Sequence, residues 1–143
     1  MDLIELAMEL QLLNGKLRRR LRAQATIGDV TPSQIAVLLY LERNEDGATV
    51  TELAQAEGVR SQSMGATVAS LQTQGLVIGQ PDPNDGRKTL LFLTPACRER
   101  LARGRSLRRD WLAHALEAQL SGEELQQLAA AVDLLKRVVN DDS

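Results

Sequence analysis

Aromatic residues are scarce in this chain: Tyr40, Phe92 and Trp111 are the only three in 143 residues. A ligand pocket built on aromatic stacking would therefore be sparse. A single cysteine, Cys97, cannot form an internal disulfide, and a reducing compartment is the simple expectation. His114 is the only histidine, and no metal-ligand spacing or nucleophile motif accompanies it. An enzyme is thus disfavoured, and no cofactor or metal is expected. No apolar run approaches the roughly 18 residues that a membrane helix needs. The first residues, Met1 to Leu6, carry acids where a signal peptide carries bases. These absences predict a cytoplasmic protein with no membrane partner. The length suits one domain, or two small lobes, that buries roughly 70% of its extended surface without a staple.

The net charge of −2 is low for a partner of nucleic acid, but its distribution is uneven. Residues 60–109 hold nine Lys/Arg against three Asp/Glu. Residues 1–59 hold six against nine, and residues 110–143 hold two against seven. A base-rich middle thus lies between acidic ends. A second basic cluster, Lys16, Arg18, Arg19, Arg20 and Arg22, sits late in the first predicted helix.

Leu3, Leu6, Leu10, Leu13 and Leu17 step by three and four, which predicts a helix over 2–25 with one apolar seam. Leu125, Leu128, Val132, Leu135 and Val139 repeat that pattern near the C-terminus, after a Ser121–Glu124 capping box. A seam on a polar rod needs a partner, and two of them at opposite ends suggest that the ends meet, within and between two copies. Thr31 and Pro32 open a core helix containing Ile35, Val37, Leu38, Leu39 and Leu41. Thr94 and Pro95 open a long, arginine-rich fifth helix.

The middle of the chain carries the functional signal. A short helix starts near Thr51, capped by Thr49 or Thr51, and ends at Gly58, with Val59 expected as the buried plug of the turn. A fourth helix follows over about 61–74, with Met64, Val68 and Leu71 facing inward. Its outward start is Arg60, Ser61, Gln62, Ser63, Ala66 and Thr67, which are mostly small or hydrogen-bonding. Such side chains suit base edges in a major groove, and a helix start favours phosphate. Leu76–Ile78 and Leu90–Leu93 read as short strands, with Pro81–Lys88 as a charged hairpin tip. Asp85 and Arg87 are two apart, so in an extended segment they share a side, and the carboxylate can orient the guanidinium. An oriented arginine at a hairpin tip, with Lys88 beside it, fits a narrow minor groove. A helix-turn-helix followed by a hairpin is a device for reading double-stranded DNA.

These residues resemble the MarR family of bacterial transcription regulators. Asp85-Gly86-Arg87, five residues, then Leu93-Thr94 matches the family's D-x-R-x-x-x-x-x-L-T signature. The stretch from Thr51-Glu52-Leu53-Ala54 through Gly58-Val59 to Gly75-Leu76-Val77 is similar to its helix-turn-helix. The resemblance implies a homodimer joined by its terminal helices, with a winged helix in each subunit. It implies a pseudo-palindromic DNA operator, most often for repression, and in many members release by a small aromatic or anionic effector. The helix over Ser61–Gln74 would enter the major groove, and Arg87 the minor groove. Ala66 and Gly86 stand where the family often has bases, and the first helix lacks the cysteine that redox-sensing members tend to place there. Cys97 is expected as a small buried residue, and Tyr40, Trp111 and His114 are candidates for an effector pocket.

The expected fold is mainly α with a small β-hairpin wing: a dimerisation helix over 1–30, a winged helix-turn-helix over 31–95, and helices over 96–143 completing the dimerisation lobe. Leu3, Leu6, Leu10, Leu13, Leu125, Leu128, Val132 and Leu135 are the candidate dimer contacts. The alternative is a winged-helix module used for protein contact or dimerisation, without DNA.

Overall fold

The computed structural model describes residues 1–141. In chain order the elements are α1 (Leu3–Gln24), α2 (Pro32–Arg43), α3 (Val50–Glu57), α4 (Ser61–Thr73), β1 (Val77–Asp82), β2 (Asp85–Leu93), α5 (Pro95–Gln119) and α6 (Gly122–Val139). Local chemistry fixes most helix starts. Asp2, Thr31, Thr49 and Ser121 each accept a hydrogen bond from the backbone N–H three residues on, and Glu5, Gln34, Glu52 and Glu124 return it to the cap. The Ser121 cap holds the Glu124 carboxyl below its usual range through hydrogen bonds to the charged form.

The chain forms two compact units. One is Thr26–Gly104, and the other is Met1–Ala25 together with the chain from Arg105 onward. The first unit holds the hydrophobic core: Val37, Leu38 and Leu41 of α2, Leu53 and Ala54 of α3, Met64, Val68 and Leu71 of α4, and Leu91 and Leu93 of β2. Leu39, expected among the core residues of α2, is instead 38% exposed. The second unit is different in kind. Among its described residues none is buried, and Leu3, Leu6, Leu10, Leu13, Leu128, Val132 and Leu135 are all exposed in the single chain. Leu125 is half-buried. Within this unit the Arg20 guanidinium lies over the Trp111 ring, 5.1 Å from its centroid.

The hairpin is longer than the sequence suggests. β1 and β2 pair antiparallel from Val77–Leu93 through Pro81–Thr89 to Asp82–Asp85, with a register irregularity between Pro81 and Asp82. Only Pro83 and Asn84 form the tip, so Pro81, Asp82 and Asp85–Lys88 belong to strands. Proline breaks a central strand, but in a two-stranded sheet every strand is an edge, where a missing N–H is tolerated. A short third segment joins at Ala48, whose N–H and carbonyl exchange bonds of 3.2 and 2.8 Å with Leu91. Gly47 makes that approach possible: its φ is +85°, and a Cβ there would sit 2.7 Å from the Phe92 ring.

The turn between α3 and α4 also departs from expectation. Gly58 adopts φ +67°, as a left-handed cap requires. Val59, however, is 46% exposed rather than a buried plug. The turn is closed instead by the backbone, with the Val59 N–H donating to the Ala54 carbonyl at 3.0 Å.

Candidate nucleic-acid interface

Two pieces of the Thr26–Gly104 unit carry the predicted contacts: the start of α4 and the wing. The apolar stripe Met64, Val68 and Leu71 turns one face of α4 into the core. Arg60, Ser61, Gln62, Ser63 and Ala66 are exposed. Thr67 is half-buried, and its hydroxyl donates to the Ser63 carbonyl at 3.2 Å, so that proton is already committed. Opposite the stripe, Gln62 is followed at steps of four, three and four by Ala66, Ala69 and Thr73. Ala69 and Thr73, which the sequence reading left out, therefore extend the outward face by two turns.

The α4 start is electrostatically open. Arg60 occupies the cap position but makes no side-chain cap bond, and the first turn contains no acid. The exposed amide end of a helix carries about half a positive charge, which here meets no carboxylate from its own helix. By contrast, the start of α3 is covered by Glu52, whose carboxylate accepts from the Thr49 N–H at 3.4 Å and the Thr49 hydroxyl at 3.2 Å. A cleft of about 470 Å³ beside it is lined by Thr49–Glu52, Lys88 and Thr89. Leu134, Arg137, Val138 and Asp141, at the C-terminal end of α6, line only an open, shallow patch. Neither includes Tyr40, Trp111 or His114. Tyr40 packs against the core, Trp111 is half-buried under Arg20, and His114 is exposed.

At the wing, the Asp82 carboxylate accepts from the Asn84 N–H at 2.9 Å and shapes the tip. The Asp85 Oδ1 accepts from the Arg87 backbone N–H at 3.1 Å and from its Nε at 3.3 Å. The Arg87 side chain is nevertheless 92% exposed. An exposed pair of this kind adds only about 0–1 kcal/mol to stability. Its effect is to orient a charged group that stays available. Of the nine bases in residues 60–109, only Arg60, Arg87 and Lys88 lie on the helix-turn-helix and wing; the other six ride on α5.

Behind the wing, Thr94 does more than cap α5. Its hydroxyl oxygen accepts from the Cys97 N–H at 3.1 Å, and its proton goes to the Gly75 carbonyl at 2.9 Å. One side chain thus ties the end of α4 to the start of α5. Cys97 is fully buried beside it. Burial is the main cause that raises its thiol above the ordinary value, with Glu42 adding and Arg100 and Arg98 opposing. The thiol therefore stays protonated near neutral pH. In a thiol titration at pH 8 the folded chain is expected to react at least about tenfold more slowly than the urea-unfolded chain, because the thiolate is the reactive species. Equal rates would contradict the buried placement. The unfolded chain loses this proton first, so the linked stability falls as pH rises past the ordinary thiol value.

A helix-turn-helix whose second helix is followed by a two-stranded wing is the architecture of a winged-helix protein. A model described as the MarR family matches residues 28–88. The chain is 33% identical over 136 residues to an uncharacterised helix-turn-helix transcriptional regulator of Mycobacterium leprae, covering 95% of this chain and 94% of that one. It is 34% identical to a Pseudomonas aeruginosa protein solved as a candidate transcriptional regulator, with a TM-score of 0.80 over 97% of this chain and 96% of that one. A mutant of S. aureus MepR, solved bound to an oligodeoxyribonucleotide, shares the fold at 21% identity, with a TM-score of 0.76 over 94% and 97% of the two chains. The chain belongs to the MarR family: it is a MarR-type transcriptional regulator, not an enzyme. Among the described residues no helix is long and apolar enough to cross a membrane.

Proposed function

We propose that the protein is a homodimeric repressor that binds a pseudo-palindromic operator in double-stranded DNA. In this reading the α4 start lies in the major groove, with Gln62 and Ser61 at base edges, and Arg87 enters the minor groove. The observation that carries it is the wing: a fully charged side chain, oriented by its neighbour Asp85, yet left almost wholly to solvent at the end of a two-stranded ribbon. The oligonucleotide bound by MepR, a protein of the same fold, supports the reading. The second unit supports dimerisation, since α1 and α6 bury no residue in one chain. In this reading repression is by occupancy, with the seated dimer denying the same DNA to the transcription machinery. A small aromatic or anionic effector that releases the DNA completes the proposal.

Three cations and one helix start per subunit give about eight contacts per dimer, so affinity is expected to fall by roughly 10³–10⁵ between 50 and 200 mM salt. Fluorescence anisotropy with DNA from upstream of the protein's own gene, and random DNA as control, measures this. Arg87→Ala is expected to weaken operator binding by about 1–3 kcal/mol, or roughly five- to 150-fold, without changing the melting temperature. An unchanged affinity would remove the minor-groove role. A folded dimer that binds neither DNA would overturn the function in favour of a protein-contact module.

A further inference from the structure

Gln34 is the one buried residue classed as polar among those described, at 8% exposure in a core otherwise made of aliphatic and sulfur-bearing side chains. Its amide is used at both ends. The Oε1 accepts from the Thr31 N–H at 2.8 Å, completing the α2 cap. The Nε2 donates to the Ser70 hydroxyl oxygen on α4 at 3.0 Å. Ser70 also accepts from Gln74 Nε2 at 3.3 Å. A single side chain therefore links the start of α2, just after the loop that leaves α1, to the flank of the helix that carries Gln62.

The core contacts of α4 do not supply what this bond supplies. Met64, Val68 and Leu71 determine which face of α4 points inward, but apolar contact is non-directional. It leaves small rotations about the stripe inexpensive. Ser70 lies off the stripe, so a directional bond there resists rotation of α4 about its own axis. Phosphate contacts tolerate such a rotation, because Arg and Lys side chains follow the backbone. Base-edge contacts do not, since two-point hydrogen bonding demands a fixed approach.

We propose that Gln34 is a positioning residue for DNA recognition: through Ser70 it sets the rotation of α4, and with it the discrimination between operator and other DNA. This rests on the DNA-reading function proposed above and adds a determinant that touches no DNA. It separates from a purely structural role because its loss changes selectivity while leaving non-specific binding intact.

The test uses the full chain and two duplexes of equal length, one selected from genomic DNA by the wild-type protein and one random. Anisotropy is read at a single salt concentration, and melting is followed alongside. Ser70→Ala removes the acceptor at an exposed position and leaves the α2 cap in place, whereas Gln34→Met removes the donor at similar volume together with the cap acceptor for Thr31, a loss that the melting readout registers. Each is expected to lower the operator-to-random affinity ratio about three- to tenfold, with random-DNA affinity held within about twofold. Ser70→Thr keeps the hydroxyl and is expected to restore the ratio. The double variant is expected to be no worse than the worse single, as for two halves of one interaction. A ratio unchanged in Ser70→Ala, an equal loss on both duplexes, or multiplicative losses in the double variant would each overturn the assignment. Failure of the underlying function would be visible separately, as a wild-type protein from which no preferred duplex can be selected.

Discussion

Replacing Leu128 and Leu135 together by glutamate is expected to turn the proposed dimer into a folded monomer. Each leucine is 37% exposed in the single chain, so its outer part is open to a second copy and a glutamate there can still extend its carboxylate to water. The cost falls on association. Covering the third of each leucine that is still exposed contributes about 0.5–1 kcal/mol per side chain. An uncompensated carboxylate in the same place costs several kcal/mol instead. The second unit gives this pair its leverage, because neither α1 nor α6 buries any residue of its own. Sedimentation at micromolar concentration would show the mass halved, while the melting signal of the Thr26–Gly104 unit persists. Binding to a two-half-site operator would then fall toward that of one half-site, since the second contact would no longer be intramolecular. An unchanged dimer mass would place the interface elsewhere.

Leu71→Ala is expected to destabilise the winged-helix unit by about 2–5 kcal/mol, the range for deleting a buried leucine and leaving a cavity. Leu71 is fully buried on α4, on the face opposite Gln62. Urea unfolding with an unchanged slope and a lower midpoint would be the signature. Exposed Gln55 on α3 supplies the control, where Gln55→Ala should fall within about 0.5 kcal/mol of wild type. DNA binding by Leu71→Ala should recover on cooling or at low urea, because the loss is one of folded population and not of contact. A midpoint within error of wild type would mean that the core around α4 closes over the gap.

What was legible in the sequence is what is local. The Thr31–Pro32 and Ser121–Glu124 starts are set within four residues, and both appear as read. The α4 stripe is periodic within one helix, and Met64, Val68 and Leu71 are all buried. The Asp85–Arg87 pair spans two residues and forms as expected. The misses are non-local. Pro81 looks like a breaker until its partner Thr89 is known, and the partner is what makes the segment a strand. Val59 reads as inward because it is the apolar residue next to the turn glycine, whereas a backbone bond to Ala54 closes this turn. The Thr94–Gly75 bond spans 19 residues and the Gln34–Ser70 bond 36, and no periodicity announces either. The heptad seams are visible in the sequence, but a pattern names only a need for a partner, and the single chain buries none of those leucines.

The two-residue tip at Pro83–Asn84 makes the reach of the wing a matter of parity. Side chains alternate sides along a strand, and each residue advances about 3.3 Å. Adding one residue to each arm would carry Arg87 outward by that step but turn it to the opposite side of the ribbon, away from the surface Asp85 now presents it to. Adding two to each arm would restore the side and roughly double the advance. Wings of this design can therefore lengthen while keeping their arginine aimed the same way only in even increments, and the reach of that arginine is quantised by the pleat of its own backbone.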